Sequence, residues 1–333
     1  MSRIRHALII AVLATVTFYQ PALAQVPSVL EIDIDNFVEY QIDTLDTSRY
    51  GTRSTITPSA GLVHFGPAVA IGDIIAVNGE PVKGTFVGRP WDISLSPVFT
   101  AGRSIADMTR ISVGFRTFEI LKADGTPIGT LMVLGLNGGA SPPGANFGGQ
   151  NFAIVGGTGA FLGAHGQQGG RQIPGFTIPP RAASIVEDPA YRRQNGGGKV
   201  RWLLAVIPRV APEVVMGHGT PLISQVDSSL VTPGNRSCGG EMSLFATGLG
   251  PTIPGVNFGQ PFPSQPPAMV NSPLKVTVNG IAAEVLKAIG VPGSVDTYEI
   301  QFRLPADTAP GLATVQITAA WIEGTAVKIP ICR

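Results

Sequence analysis

The chain has 333 residues, 44% of them hydrophobic and 14% charged, with a net charge of +1. So high a hydrophobic fraction excludes a disordered chain, and so even a charge balance leaves no electrostatic footprint for nucleic acid. The 42 glycines and 29 prolines interrupt helices and populate turns, which favours many short strands, and the length suits two domains. In chain order, Arg3 and Arg5 precede an apolar run, Ala7–Phe18, and then the small-x-small site Ala22-Leu23-Ala24. This three-part pattern predicts a signal peptide over 1–24, cleaved to leave Gln25, and hence a secreted or periplasmic protein. The run is short for a bilayer, and no later stretch is apolar for long enough, so no membrane span is expected after cleavage.

Strand-like segments then recur between turn signals: Val38–Leu45, Ser94–Phe99, Thr109–Leu121, Gly129–Leu136, Phe152–Val155 and Lys199–Val206. Asp124-Gly125 marks a hairpin. On the first of these strands Glu39, Gln41 and Asp43 share one face and Val38, Tyr40 and Ile42 the other. Two readings stay open: the acidic face is solvated, or it lines an interior. No helical period is sustained; the best short helix lies near Glu187–Gln194, limited by Pro189. Gly138–Gln150 and Gln167–Pro180 read as long loops. A break at Val210–Thr220 places a linker over 210–221. Beyond it, strands are expected at Glu241–Thr247, Leu274–Val278, Tyr298–Leu304, Ala313–Ala319 and Ala326–Ile331, with tight turns at Asn279-Gly280 and Pro310-Gly311.

The most distinctive string is Ile154-Val155-Gly156-Gly157-Thr158-Gly159-Ala160-Phe161. Its glycines do not form a dinucleotide site, because that motif needs a following helix, and Leu162-Gly163-Ala164-His165-Gly166 is poor helix sequence. On a continuing strand Phe161, Gly163 and His165 would share a face, with His165 a donor, acceptor or general base near neutral pH. Trp91, Asp92, Arg116 and Glu119 are further polar or aromatic candidates. No nucleophile elbow or phosphate loop is present. His64, His165 and His218 are too far apart for zinc spacing, so neither a metal nor an organic cofactor is expected. Asn235-Arg236-Ser237 fits a glycosylation sequon.

The glycine string with Phe161, Ala164 and Gly166 resembles a stretch typical of dirigent proteins and their allene oxide cyclase relatives. Val87-Gly88-Arg89, Gly129-Thr130-Leu131 with Val133-Leu134-Gly135, and Tyr40-x-x-Asp43-x-Leu45 resemble three more of that family's motifs, in the same order. The resemblance covers most of residues 30–209 and implies an eight-stranded antiparallel barrel with a central pocket. Asp43 matches a family pocket residue by identity. His165 stands where the family has Arg, Gly163 where it has an aromatic residue, and Ile42 where it has His. The family's trimers imply self-association. Residues 222–333 resemble the Ig-like domains of IPT/TIG type through Thr247-Gly248-Leu249-Gly250-Pro251, Val276-Thr277-Val278-Asn279-Gly280, Phe302-Arg303-Leu304-Pro305 and Gly311-x-x-x-Val315. The expected fold is therefore all-β: an eight-stranded antiparallel barrel followed by an immunoglobulin-like β-sandwich.

Only two cysteines occur, Cys238 and Cys332. In an exported protein they are expected to form a disulfide, tying the first and last strands of the sandwich. Three functions follow from this reading. The barrel binds a small apolar or aromatic molecule, with Asp43, Phe161, Gly163, His165 and Trp91 as pocket candidates and Gly156, Gly157, Thr158 and Gly159 as a structural motif. Alternatively it is an isomerase or cyclase of allene oxide cyclase type. In the third reading it is a structural or adhesive surface protein with a filled barrel. A lumen packed with Leu, Val and Phe would favour the third reading; charged side chains entering a cavity would favour the first two.

Overall fold

The computed structural model describes residues 26–41, 66–67, 69–93, 111–137, 150–171, 173, 175–184, 187–217, 219–225, 231–232 and 240–332. The signal-peptide pattern, Asp43, His64, Ser94–Phe99, His218, the sequon and Cys238 lie outside these residues, as does most of the Gly138–Gln150 stretch.

Eight strands build the first half: β1 (Ser28–Gln41), β2 (Val69–Val77), β3 (Lys83–Ile93), β4 (Ile111–Leu121), β5 (Pro127–Asn137), β6 (Gln150–Gly159), β7 (His165–Arg171) and β8 (Gly198–Ile207). Each pairs antiparallel with the next, and β8 pairs back to β1, Ser28 opposite Val206. The sheet is thus a closed up-and-down barrel, which leaves no ring strand with an unpaired edge. Alternation supplies the interior: Leu30, Ile32, Phe86, Phe118, Leu131 and Leu204 are all buried in one cluster.

The sequence placed no strand at β2, β3 or β7, and it began β1 at Val38, whereas the strand starts at Ser28. β6 ends at Gly159. Residues 160–164 then turn, with Phe161 N–H donating to Thr158 O at 3.1 Å and Ala164 N–H to Phe161 O at 3.0 Å. The expectation that Phe161, Gly163 and His165 share a strand face is corrected by this turn, in which a period of two does not apply. Gly159 takes φ +60° there. Gly157 is needed for a different reason: a Cβ on it would lie 2.3 Å from Phe161 O. In the Glu187–Gln194 region only a short 3-10 turn, Pro189–Tyr191, forms.

A bulge in β1 decides which residues enter the lumen. Asn36 sits at φ +50°, and the register with β2 and β8 shifts across it. Before the bulge the even positions Ile32 and Ile34 face inward; after it Phe37 does, meeting Phe86 edge-on at 5.3 Å. Glu39 shares Phe37's face, so it points inward. Val38 and Tyr40 pack outside, against Ala183 and Ile71. Here a short strand, Arg181–Ser184, runs parallel to β1. Outside the barrel, Arg192 and Arg193 both bind Asp73 of β2, and Arg201 of β8 binds Asp33 and Glu31 of β1.

The second half is a curled sheet of β9 (Glu241–Thr247), β10 (Leu274–Val278), β11 (Ile281–Gly290), β12 (Tyr298–Arg303), β13 (Gly311–Ala319) and β14 (Val327–Ile331). β11 is the strand about which it curls: Ile281, Ala282 and Ala283 pair with β10, and Glu284 onward, across a bulge at Val285/Lys287, pairs with β12. Leu244, Val276, Ile300, Phe302 and Val315 fill the inside. The Asn279-Gly280 turn forms as expected, with φ of 51° and 79°. Glu213–Val214 and Ile223–Gln225 pair onto β9, so the Val210–Thr220 break contributes strand pairing to this sheet.

The second half also stops one end of the barrel. The turn after β13, Ala320-Trp321-Ile322, is buried in the barrel's own core cluster. Trp321 Nε1–H donates to Glu80 in the β2–β3 turn at 2.8 Å, and Glu323 N–H donates to Ser28 Oγ at 3.1 Å. Asn271 Nδ2–H donates to Pro127 O at 2.6 Å on the same side. This is the lower end, where the β2–β3, β4–β5 and β6–β7 turns meet; the upper end is opposite. No helix among the described residues is long and apolar enough to cross a membrane.

Candidate functional site

The lower lumen is filled by Ile120, Ile128, Phe161, Val206 and the Trp321 turn, all buried. The character of the lumen changes halfway up. On β4 the inward residues run Ile120, Phe118, Arg116, Gly114 from bottom to top. Arg116 crosses the lumen and lies over two rings from the far wall, 3.9 Å from the Phe152 centroid and 4.6 Å from that of Trp202. These are cation–π distances, and such contacts strengthen when desolvated. Burial pushes the guanidinium down to about 10, partly opposed by the nearby charge of Glu39. Despite its depth, Arg116 is only half-buried, as is Glu39.

Glycines on the wall make this arrangement possible. A Cβ on Gly114 would lie 2.7 Å from the Phe152 ring, and one on Gly170 would lie 2.7 Å from the Trp202 ring. Gly88 stands in the same relation to Phe86, with a nearest approach of 3.2 Å. The rings therefore lie back against bare backbone instead of projecting to the axis. Phe86 stacks on Trp202 with centroids 6.3 Å apart and meets Phe118 at a tilt at 5.1 Å, so the aromatic shelf is continuous from β3 to β8.

Two further polar groups sit at this level. Gln168 of β7 is opposite Phe152 on one side and Leu204 on the other, which turns its side chain inward. It is 0% exposed, and among the described residues neither its Nε2 nor its Oε1 has a hydrogen-bond partner. Trp202 is 8% exposed, and its Nε1 likewise has no hydrogen-bond partner among the described residues. Buried polar groups are nearly always paired, and leaving one unpaired costs about 1–3 kcal/mol.

The residues expected from the sequence do not assemble with these. His165 opens β7 at the lower end and is exposed. Gly163, at φ +71°, packs against Arg209 in the turn. Phe161 is core at the lower end. Thr158 bonds Thr130 across the barrel's outer wall, oxygen to oxygen at 2.7 Å, and Gly156, Gly157 and Gly159 belong to the same β5–β6 ladder. Trp91 lies in β3, with its side chain outside the described residues, and Asp43 lies outside them altogether. Arg116 was named by sequence as a minor candidate. Gln168, Trp202 and Phe152 were missed; the one signal was the Gly-x-Gln-x-Gly alternation of 166–170, which read as loop. Among the described residues no group of three His, Cys, Asp or Glu could hold a metal ion. Compared with known proteins, the chain matches no family model, no curated protein and no solved structure.

Proposed function

We propose that the barrel is a binding module that holds one small apolar or aromatic molecule in its upper lumen, resting on the shelf formed by Arg116, Phe152 and Trp202. The observation that carries this reading is Arg116: a guanidinium deep in the barrel, laid over two rings, and still only half-buried. An eight-stranded barrel is the size that either fills with side chains or holds one small ligand. Here the lower half is filled and the upper half carries charge. The filled lower half agrees with the structural reading, but a purely structural barrel has no need of a cation at mid-height. The isomerase or cyclase reading loses His165, which stands outside the lumen. Export, self-association and an Ig-like role for the second half belong to the same proposal and rest on the sequence patterns.

The test is a titration with N-phenyl-1-naphthylamine, an uncharged aromatic probe. Saturable binding with one probe per chain is expected, with quenching of Trp202 emission that disappears in Trp202→Phe. Arg116→Ala should weaken binding about tenfold or more, since the cation–π shelf and its packing go together. Absence of saturable binding, or equal affinity in Arg116→Ala, would sink the proposal.

The Cys238–Cys332 bridge belongs to the proposal of an exported chain. Cys332 follows β14 directly, and Cys238 stands just before β9. The two strands contribute Ile331 and Met242 to one core, which supports their approach. Thiol labelling of unreduced protein should find no free cysteine. Reduction should cost the second half roughly 4–5 kcal/mol in the chain-entropy account. Two labelled thiols would refute the bridge.

A further inference from the structure

We infer that the molecule held on the shelf is an aromatic body bearing a neutral oxygen acceptor, a carbonyl or ether oxygen, and that this oxygen takes a hydrogen bond from the Arg116 guanidinium. This rests on the lumen-binding reading above and specifies its ligand.

A guanidinium carries five N–H donors and no acceptor. The two rings beside Arg116, with centroids 3.9 and 4.6 Å from its Cζ, attract its charge but have no oxygen to offer, and the Trp202 indole is itself a donor. Its flanking inward neighbours add nothing: Gly88 and Val133 on the adjoining strands, with Phe118 and Gly114 below and above it on β4, carry no polar side-chain atom. The nearby charge is that of Glu39, and one carboxylate takes at most two of the five donors in a fork. Arg116 is only half-buried, and from inside the barrel its exposed part can face only the lumen.

That exposed part is the surface a shelf occupant covers. A molecule settling there strips the water from a charged donor, and a bond to a charged group is the costliest kind to leave unmade. Burial has already pushed the guanidinium down to about 10, so it tolerates further dehydration badly. A pure hydrocarbon ring would therefore be opposed by the residue it rests on, whereas a ring with an oxygen acceptor replaces the lost water. The acceptor should be neutral because of Glu39. Glu39 is opposite Ala70, Ala70 opposite Gly88, and Gly88 opposite Arg116, so the acid and the base stand at one level of the wall with only small residues between them. A ligand carboxylate drawn to Arg116 would meet the Glu39 charge unscreened, and a neutral oxygen would not. Sites built to hydrogen-bond a ligand group reject the analogue lacking it, because their own polar groups are then left unpaired.

The experiment uses the full chain and equilibrium dialysis with three naphthalenes of nearly one shape: 2-acetylnaphthalene, with a neutral carbonyl; 2-isopropenylnaphthalene, with CH2 in place of that oxygen; and 2-naphthoate, with a charge. Wild type should bind the ketone about tenfold tighter than the alkene, the worth of one hydrogen bond to a charged donor, and should bind the naphthoate no tighter than the ketone. Arg116→Met keeps an unbranched side chain and removes the donors. It should abolish the preference for the ketone and hold the alkene within about threefold; Arg116→Leu serves if the methionine variant fails to fold. Glu39→Gln should improve the naphthoate and leave the ratio of ketone to alkene unchanged. If the alkene binds wild type as tightly as the ketone, if the preference survives in the folded Arg116 variant, or if N-phenyl-1-naphthylamine binds and the ketone does not, the acceptor is overturned and the lumen reading stands. A naphthoate that outbinds the ketone overturns its neutrality. If none of the four probes binds wild type, both readings fall.

Discussion

Trp321→Ala is expected to destabilise the whole chain by about 3–5 kcal/mol, the range for removing a buried Trp or Phe from a core. Trp321 is 7% exposed and belongs to the barrel's core cluster although it is carried by the turn after β13. The truncation therefore opens a hole at the lower end of the barrel and loosens the contact between the two halves together. The turn itself is held at a cost. Ala320 and Trp321 have φ of 47° and 62°, a left-handed conformation that costs a residue with a Cβ about 1–2 kcal/mol. The packing of the indole, its bond to Glu80 and the antiparallel pairing of Ala319 with Ile322 hold it there. Trp321→Phe should retain most of the stability, and Glu80→Gln should lose only about 1 kcal/mol, since the hydrogen bond survives in neutral form. Urea unfolding monitored at both halves is the measurement. A midpoint for Trp321→Ala within error of wild type would mean that the turn is not the barrel's stopper.

The second large effect is expected at Arg192. Arg192→Ala should cost about 3 kcal/mol, because it strips a partner from a charge that is mostly buried. The Arg192 side chain is 8% exposed; it donates to Asp73 at 2.6 Å and to Asn36 O at 2.7 Å. It pins the 187–195 segment to β2 and to the β1 bulge. Arg193 binds the same carboxylate at 2.8 Å but is 68% exposed, so Arg193→Ala should cost below about 1 kcal/mol.

The acid limb of the stability curve gives a separate readout. Burial alone would push the Asp73 carboxyl up, but hydrogen bonds from Arg193, Arg192 and Asn36 outweigh it and hold the group below the usual carboxylate value. A depressed carboxylate contributes stability that is fully present above its unfolded value, about 3.9. That stability is lost as pH falls through the lower folded value. Asp73→Asn should flatten the fall in stability below about pH 4, and Arg192→Ala should flatten it in part. The assignment fails if Arg192→Ala costs no more than Arg193→Ala, or if the acid limb is the same in Asp73→Asn.

The sequence by itself determined that the chain is all-β, and it located strands whose alternation is clean. Glu241–Thr247 and Leu274–Val278 coincide with β9 and β10 because Met242, Leu244, Val276 and Val278 alternate with half-buried or exposed neighbours. Tight turns with a local signal, Asp124-Gly125 and Asn279-Gly280, were equally legible, since Gly and Asn pay little for positive φ. The strands that went unread are the ones whose residues make sense only once the barrel closes. β7 reads His-Gly-Gln-Gln-Gly-Gly-Arg, which is loop-like taken alone. Closure makes it a strand because Gly170 must make room for Trp202. Gln168 was invisible for the same reason: nothing in its neighbourhood along the chain marks it as inward. The inward turn of Glu39 was decided by the bulge at Asn36, which exchanges the parity of β1. Alternation along a strand fixes which residues share a face; which face meets the lumen is fixed by the partners on either side. Only the tertiary structure could therefore bring Arg116, Phe152, Gln168 and Trp202, from four strands, to one level of one lumen.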